Sequence, residues 1–371
     1  MNDFNDNFQL ATNGDVLPLC SLTWSGSPIV DACTVGADYG HLLVLTEDGV
    51  LHGVDFASRN CRTLCTIDLP DIPIDAEAAA YYVADYCLHA TSNGRYAAIV
   101  VDRGQKGVVV EIPSGRVTMH LDGGDYHEST VPFSACFLRH EERDVFVHRT
   151  AWNRLDVADP ATGKLLTERD HPATGGEKSD PGHHLDYFHG ALLASPDGSR
   201  LLDDGWVWHP VSIPRAWSVT EWLGSNPWES EDGASVVELM MREDWGMPAC
   251  WVSERHVALW GLASWDEEEG HDAGQGPGVR ILDVTTTERS PDSRWPMDIE
   301  ATRVRNIFSD GLRLYVAAET GTIVWNISSR TQITAIPGFI ARLHDPKCGK
   351  LIAVAPDRIS VLQLPWSGVA F

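Results

Sequence analysis

The chain has 371 residues, 43% of them hydrophobic and 22% charged, and its 53 acidic against 28 basic side chains give a formal net charge of −25. That balance excludes a general binder of nucleic-acid backbones, whose affinity comes from cations displacing counterions. No run approaches the roughly 18 apolar residues that would span a bilayer, so the composition is that of a globular protein, and its acidity either serves solubility or suits a basic protein or a divalent cation.

Residues 1–15, MNDFNDNFQLATNGD, read as a polar tail without the basic region and apolar core of a secretory leader, and a cytoplasmic location is the expectation. The eight cysteines, scattered from Cys20 to Cys348, are expected as reduced, mostly buried thiols, because a chain of this size does not need disulfides. VLPLCSLT at 16–23 is the first strand. From residue 29 onward, short runs rich in Val, Ile, Leu and Thr alternate with Gly, Asp, Asn and Ser, the pattern of strands and hairpins.

These runs fall into copies. Residues 29–69 hold four strands, IVDACTV, HLLVLT, VLHGVDF and CRTLCTIDL. The second copy is YCLHATS, YAAIVV, GVVVEI and VTMHL; the third is SACFLRH, VFVHRT, RLDVADP and LLTER. The fourth is built on 187–210, YFHGALLASPDGSRLLDDGWVWHP, with an outer strand near 216–222. In its Ser-Pro-Asp-Gly turn, Pro196 pre-sets φ and Gly198 takes a φ that a side chain resists. The fifth has ACWVS, HVALWG and GVRILDV; the sixth, 301–336, divides at SDG, ETG and SSR into four strands; the seventh, 339–366, supplies three.

The first turns of the copies lie near Asp38, Asn93, Glu142, Asp197, Glu254, Asp310 and Pro346, most of them about 50 to 56 residues apart, which is a repeat period with long loops. The expected fold is therefore all-β: a single seven-bladed β-propeller of four-stranded antiparallel blades over 16–371. The strand at 16–23 completes the last blade and closes the ring, which leaves only short protected edges. A pair of β-sandwiches is the alternative architecture.

The SPDG, SDG and PDR turns between short aliphatic strands, and ETGTIVWNI at 319–327, resemble the WD40 or YVTN-like class of β-propellers. VWN at 324–326 is the nearest match to the terminal Trp-Asp of a WD40 repeat. The resemblance implies a rigid platform, in most members for binding other proteins and in some for catalysis.

Three segments exceed what the repeats require: 170–187, 224–247 and 262–278. On the repeat phasing all three open on one face of the disc, where a rigid ring would hold variable loops for recognition. Trp228, Trp245 and Trp265 lie in them beside acids, and Asp266, Glu267 and Glu268 form an acidic run; aromatic anchors rimmed by charge are a common interface composition. ASVVELMMR at 234–242 allows one or two amphipathic helical turns, as a lid or as a packed connector. Trp206 and Trp208 alternate toward one face of a strand, as packing between blades requires. Asp203 and Asp204 read as a turn or bulge.

His183, His184, Asp186 and His189 are the densest ligand-capable cluster, able in type to hold a divalent metal such as zinc. The other reading is a polar loop whose His189 forms a hydrogen bond at the entrance to a blade. The chain has no GxSxG elbow, P-loop, dinucleotide fingerprint or HExxH, so no catalytic residue and no cofactor is assigned. Two functions are carried forward. The first is a non-catalytic, monomeric platform that binds another protein, one with a basic surface, through loops of blades three to five. The second is a metal-dependent hydrolase or lyase at 183–189.

Overall fold

The central strands of the chain are buried on both faces, and their sequences accordingly run apolar without alternation. In Gly40–Thr46, Leu42 and Val44 enter one core while Leu43 and Leu45 enter the next. In Arg313–Ala318, Leu314, Val316 and Ala318 face one neighbour while Tyr315 and Ala317 face the other. Among the described residues seven such cores follow one another, one at each junction between neighbouring sheets.

The computed structural model describes residues 2–11, 16–72, 84–169, 183–208, 211–242, 246–265, 277–299 and 303–366. It is a seven-bladed β-propeller whose blades are mostly four-stranded antiparallel sheets. Blade 1 holds Ile29–Ala37, Gly40–Thr46, Val50–Asp55 and Asn60–Thr66; blade 2 holds Asp85–Ala90, Tyr96–Asp102, Lys106–Glu111 and Arg116–Asp122. Blade 3 has only Ala135–His140, Arg143–Ala151 and Arg154–Ala158. Blade 4 has Phe188–Ala194, Arg200–Val207, Arg215–Ser218 and Val237–Glu238, with Val211–Ser212 beside its second strand. Blade 5 has Ala249–Trp251, His256–Trp260, Gly278–Asp283 and Arg294–Pro296; blade 6 has Val304–Ser309, Arg313–Ala318, Gly321–Asn326 and Thr331–Pro337. The first strand of each blade lines the axis.

Blade 7 joins the two ends of the chain. Leu343–Asp345, Lys350–Ala355 and Arg358–Gln363 are followed in space by Val16–Thr23, which pairs Leu22 with Ile359. Leu22 and Trp24 then bury themselves with Ile352 and Val361 against blade 1. Asp3–Ala11, within the tail of the sequence reading, is a further antiparallel strand on the outside of Val16–Thr23.

Several local expectations are corrected. LLTER makes one bridge, Leu165 to Ala158, instead of a fourth strand in blade 3. Side chains take over the ladder there: Thr167 Oγ1 accepts the Val157 N–H at 2.9 Å and Arg169 donates to the Leu155 carbonyl at 2.9 Å. The outer strand expected at 216–222 stops at Ser218, whose hydroxyl accepts the Glu221 N–H and caps the helical turn Val219–Gly224. ASVVELMMR is extended around Val237–Glu238 instead of helical, with Met240 fully buried. Asp203 and Asp204 lie in no turn but inside the strand Arg200–Val207, beside a β-bulge in the strand it pairs with, and both are buried. All eight cysteines are unpaired, but only Cys250 is fully buried; the other seven are half-buried. No helix among the described residues is long and apolar enough to cross a membrane.

Candidate interaction face

Two kinds of connection share each rim of the disc. The upper rim carries the links from one blade to the next and the turns between second and third strands; the lower rim carries the remaining turns. On this topology Phe188, which follows 170–187, and the strand ends Trp260 and Gly278, which flank 262–278, lie at the upper rim. The segment 224–247, read as a single link between blades, is divided by the outer strand Val237–Glu238, so only its second half links blade 4 to blade 5.

Blade 4 begins with a β-bulge. Phe188 pairs with Trp206 and Ala191 with Asp204, so the first strand carries one extra residue. Gly190 and Gly205 make that approach possible: a Cβ on Gly190 would lie 2.0 Å from the Asp204 carbonyl oxygen, and one on Gly205 2.2 Å from that of Phe188. The two acids then point to opposite sides of the strand. Asp203 Oδ2 meets His189 Nδ1 at 2.6 Å, both side chains being fully buried, and Oδ1 accepts the Gly190 N–H. Asp204 pairs with Arg242 at 2.5 Å, and Arg242 donates to the Trp260 carbonyl of blade 5. Burial pushes the Tyr187 hydroxyl well above its ordinary range, and it donates to the Ile213 carbonyl as a neutral group.

The bulge also raises a set of rings onto the upper rim. Phe188 stacks on Trp206 with centroids 4.6 Å apart and lies edge-on to Trp208 at 5.3 Å. Trp152, in the turn between the second and third strands of blade 3, packs on Phe188 at 4.6 Å. From the link between blades 2 and 3, Tyr126 reaches Trp152 at 5.2 Å and His127 reaches Trp208 at 5.0 Å. Trp206 is buried while Trp208, expected in the core beside it, is 41% exposed, because the strand ends at Val207. Tyr126 is 48% exposed and Trp265, in the second link of blade 5, 44%. Among the described residues these three are the exposed large aromatic side chains, and all three lie on the upper rim. Asp125 and Asp186 beside them are exposed as well.

Trp228 has an intrachain task. His183 stacks on its ring at 4.5 Å and the Arg169 guanidinium lies 5.0 Å from its centroid, so two residues 14 positions apart (183 − 169) meet on one side chain. His183 also pairs with Asp232 at 2.9 Å. Arg169 bonds Glu231 as well and meets Asp156 at 2.6 Å, all three side chains being almost fully buried. Burial alone would raise the Asp156 carboxyl, but the Arg154 hydrogen bond and the Arg169 charge outweigh it and hold the group below the usual carboxylate range. This network fills the edge of blade 3 where a fourth strand is missing.

The four candidate metal donors have separate surroundings: His184 and Asp186 are exposed, His183 is with Asp232, and His189 is buried with Asp203. Among the described residues no group of three or more His, Cys, Asp or Glu side chains is placed to hold a metal ion. Trp245, Asp266, Glu267 and Glu268 lie outside the described residues. The sequence reading missed Tyr126, His127 and Trp152, which sit in short links; their only signal was an aromatic in each of two adjacent turns.

No family model matches the chain, and no curated protein matches it in sequence. Solved structures do. The β-propeller domain of Cps50 (Swd1) from Myceliophteria thermophila is similar at 11% identity over 98% of this chain and 100% of that one, with a TM-score of 0.50. A chain of a mitotic checkpoint complex is similar at 11% identity over 92% of this chain and 93% of that one, with a TM-score of 0.51. At such identity the likeness is one of fold alone, that of a β-propeller.

Proposed function

We propose that the chain is a non-catalytic platform that binds another protein through its upper rim, from the link between blades 2 and 3 round to blade 5. The observation that carries this reading is the gathering of the exposed aromatic residues Tyr126, Trp208 and Trp265 on one rim of a rigid ring. Exposed aromatic clusters mark interaction surfaces because they offer large apolar area with few rotatable bonds. The neighbouring acids Asp125 and Asp186, and the net charge of −25, favour a partner with a basic surface.

The test is a pull-down from native extract with Tyr126→Ser/Trp208→Ser, against Leu312→Ser in a lower-rim turn of blade 6. A partner retained by wild type and Leu312→Ser but lost by the double variant, and released as salt is raised, bears the reading out. Equal capture by all three folded proteins overturns it.

A further inference from the structure

The inner strands of blades 4 to 7 border an open cavity of about 490 Å³ in the axial channel, beside the lower-rim turns that carry Pro196 and Lys347. Small-molecule sites occupy roughly 300–1,000 Å³. The walls are mainly apolar, with Leu193 from blade 4, Trp251 from blade 5 and Ile307 and Phe308 from blade 6. Trp251 is held in place there, its Nε1 donating to the Leu193 carbonyl at 2.9 Å across the junction between blades 4 and 5.

The polar lining is unlike the rest of the chain. Among the described residues no Asp or Glu lines the cavity, in a chain whose sequence contains 53 of them. Asn306, Ser309, His344 and Lys347 supply the polar atoms. Ser309 Oγ accepts the Gly311 N–H at 3.0 Å, which leaves its own proton to donate. Among the described residues His344 Nε2 has no partner and is closed to solvent, and burial pushes the imidazole down to about 4, so the ring is neutral at pH 7. The acids that act on His344 are engaged elsewhere: Asp310 with Arg313 and Tyr315, Asp345 with the Cys348 N–H. Lys347 is exposed and makes no ion pair among the described residues. An end that offers the Ser309 hydroxyl and the Lys347 ammonium, beside an apolar wall without acids among the described residues, suits an anion with a hydrocarbon body.

We propose that this cavity binds a small apolar monocarboxylate, aromatic or medium-chain aliphatic. Its hydrocarbon lies against Leu193, Trp251 and Ile307, and its carboxylate lies at the end formed by Ser309, His344 and Lys347. The site is separate from the upper rim and independent of partner binding there.

Calorimetric titration of the full chain with decanoate, indole-3-acetate, decanol and decylamine tests it. Both acids should bind one per chain, decanol at least about tenfold more weakly because it lacks the charge-assisted hydrogen bonds, and decylamine not measurably. Lys347→Glu, at an exposed position, should weaken the acids by about tenfold or more, since it replaces an attraction with a repulsion. Asn306→Trp, which grows into the cavity, should abolish binding with the melting temperature kept, and Trp208→Ala on the opposite rim should change nothing. If Asn306→Trp does not fold, Lys347→Glu decides. The proposal is overturned if neither acid binds at millimolar concentration, if decylamine binds as well as decanoate, if Lys347→Glu has no effect, or if Trp208→Ala removes binding.

Discussion

Blade 6 is made from four consecutive strands joined by short turns, and its side chains divide between two apolar cores built around Leu314 and Val316 on one side and Tyr315 and Ala317 on the other. The junction of blades 3 and 4 shares that apolar layer through Val147, Leu201 and Trp217, but its outer edge is polar and buried: Asp156, Arg154, Arg169 and Glu231, with His189 and Asp203 nearby. Apolar packing asks only for volume and shape, so a neighbouring hydrocarbon can substitute. A buried charge demands its particular partner, so the second region is bound to specific residues contributed by distant parts of the chain.

The comparison can be broken by substitution. Arg169→Ala should have the largest effect, roughly 3–5 kcal/mol lost in urea unfolding, because Glu231 would stay buried without its cation while Asp156 would keep only Arg154. Asp203→Asn should follow at roughly 2 kcal/mol, since the shape is kept but one acceptor for His189 or Gly190 is lost. Leu314→Met in blade 6, equally buried, should cost less than about 1.5 kcal/mol. A blade 6 cost equal to that of Arg169→Ala would remove the distinction.

Acid sharpens it with a smaller and more gradual effect. Burial pushes the His148 imidazole of blade 3 below its ordinary value, despite the hydrogen bond to the Arg149 carbonyl and the charge of Asp156. The unfolded chain therefore takes up that proton first, so the contribution is fully present above about pH 6.5 and is lost as the pH falls toward the folded value. Blade 6 contains no histidine between Val304 and Pro337. Its carboxylate Asp310 is held low by Tyr315 and Arg313 against the opposing effect of burial, so its contribution is present above about pH 4 and disappears only below it. Hydrogen exchange should show Val147 losing protection on acidification before Leu314; the reverse order would contradict this.

Blade 6 was legible because everything that specifies it is local. Asp310 illustrates this: its Oδ1 accepts the Leu312 and Arg313 N–H groups, so the residues of the turn itself hold the turn. The Ser-Pro-Asp-Gly turn of blade 4 is similar, with Asp197 bonded to Ser195 and Ser199 and Gly198 at a φ of 72°. The aromatic face was legible only in part. The sequence reads Trp228 and Trp265 alike, as partner-facing; Trp265 is exposed, whereas Trp228 is half-buried between His183 and Arg169. Nothing within a few residues of Trp228 distinguishes the two, since its ring partners lie 45 and 59 positions earlier in the chain (228 − 183 and 228 − 169).

The sequence by itself determined the number of blades and the hairpin turns, because strand length and turn chemistry act over a few neighbours, and the closure of the ring, because the seventh copy lacks the strand that 16–23 supplies. Only the tertiary structure decided which polar residues are buried together and which aromatic residues remain outside. Arg169 and Glu231 are 62 positions apart, and Arg242 and Asp204 are 38. Such partners meet only once adjacent blades have packed, and the dielectric that makes each pair obligatory exists only in the interior that this packing creates.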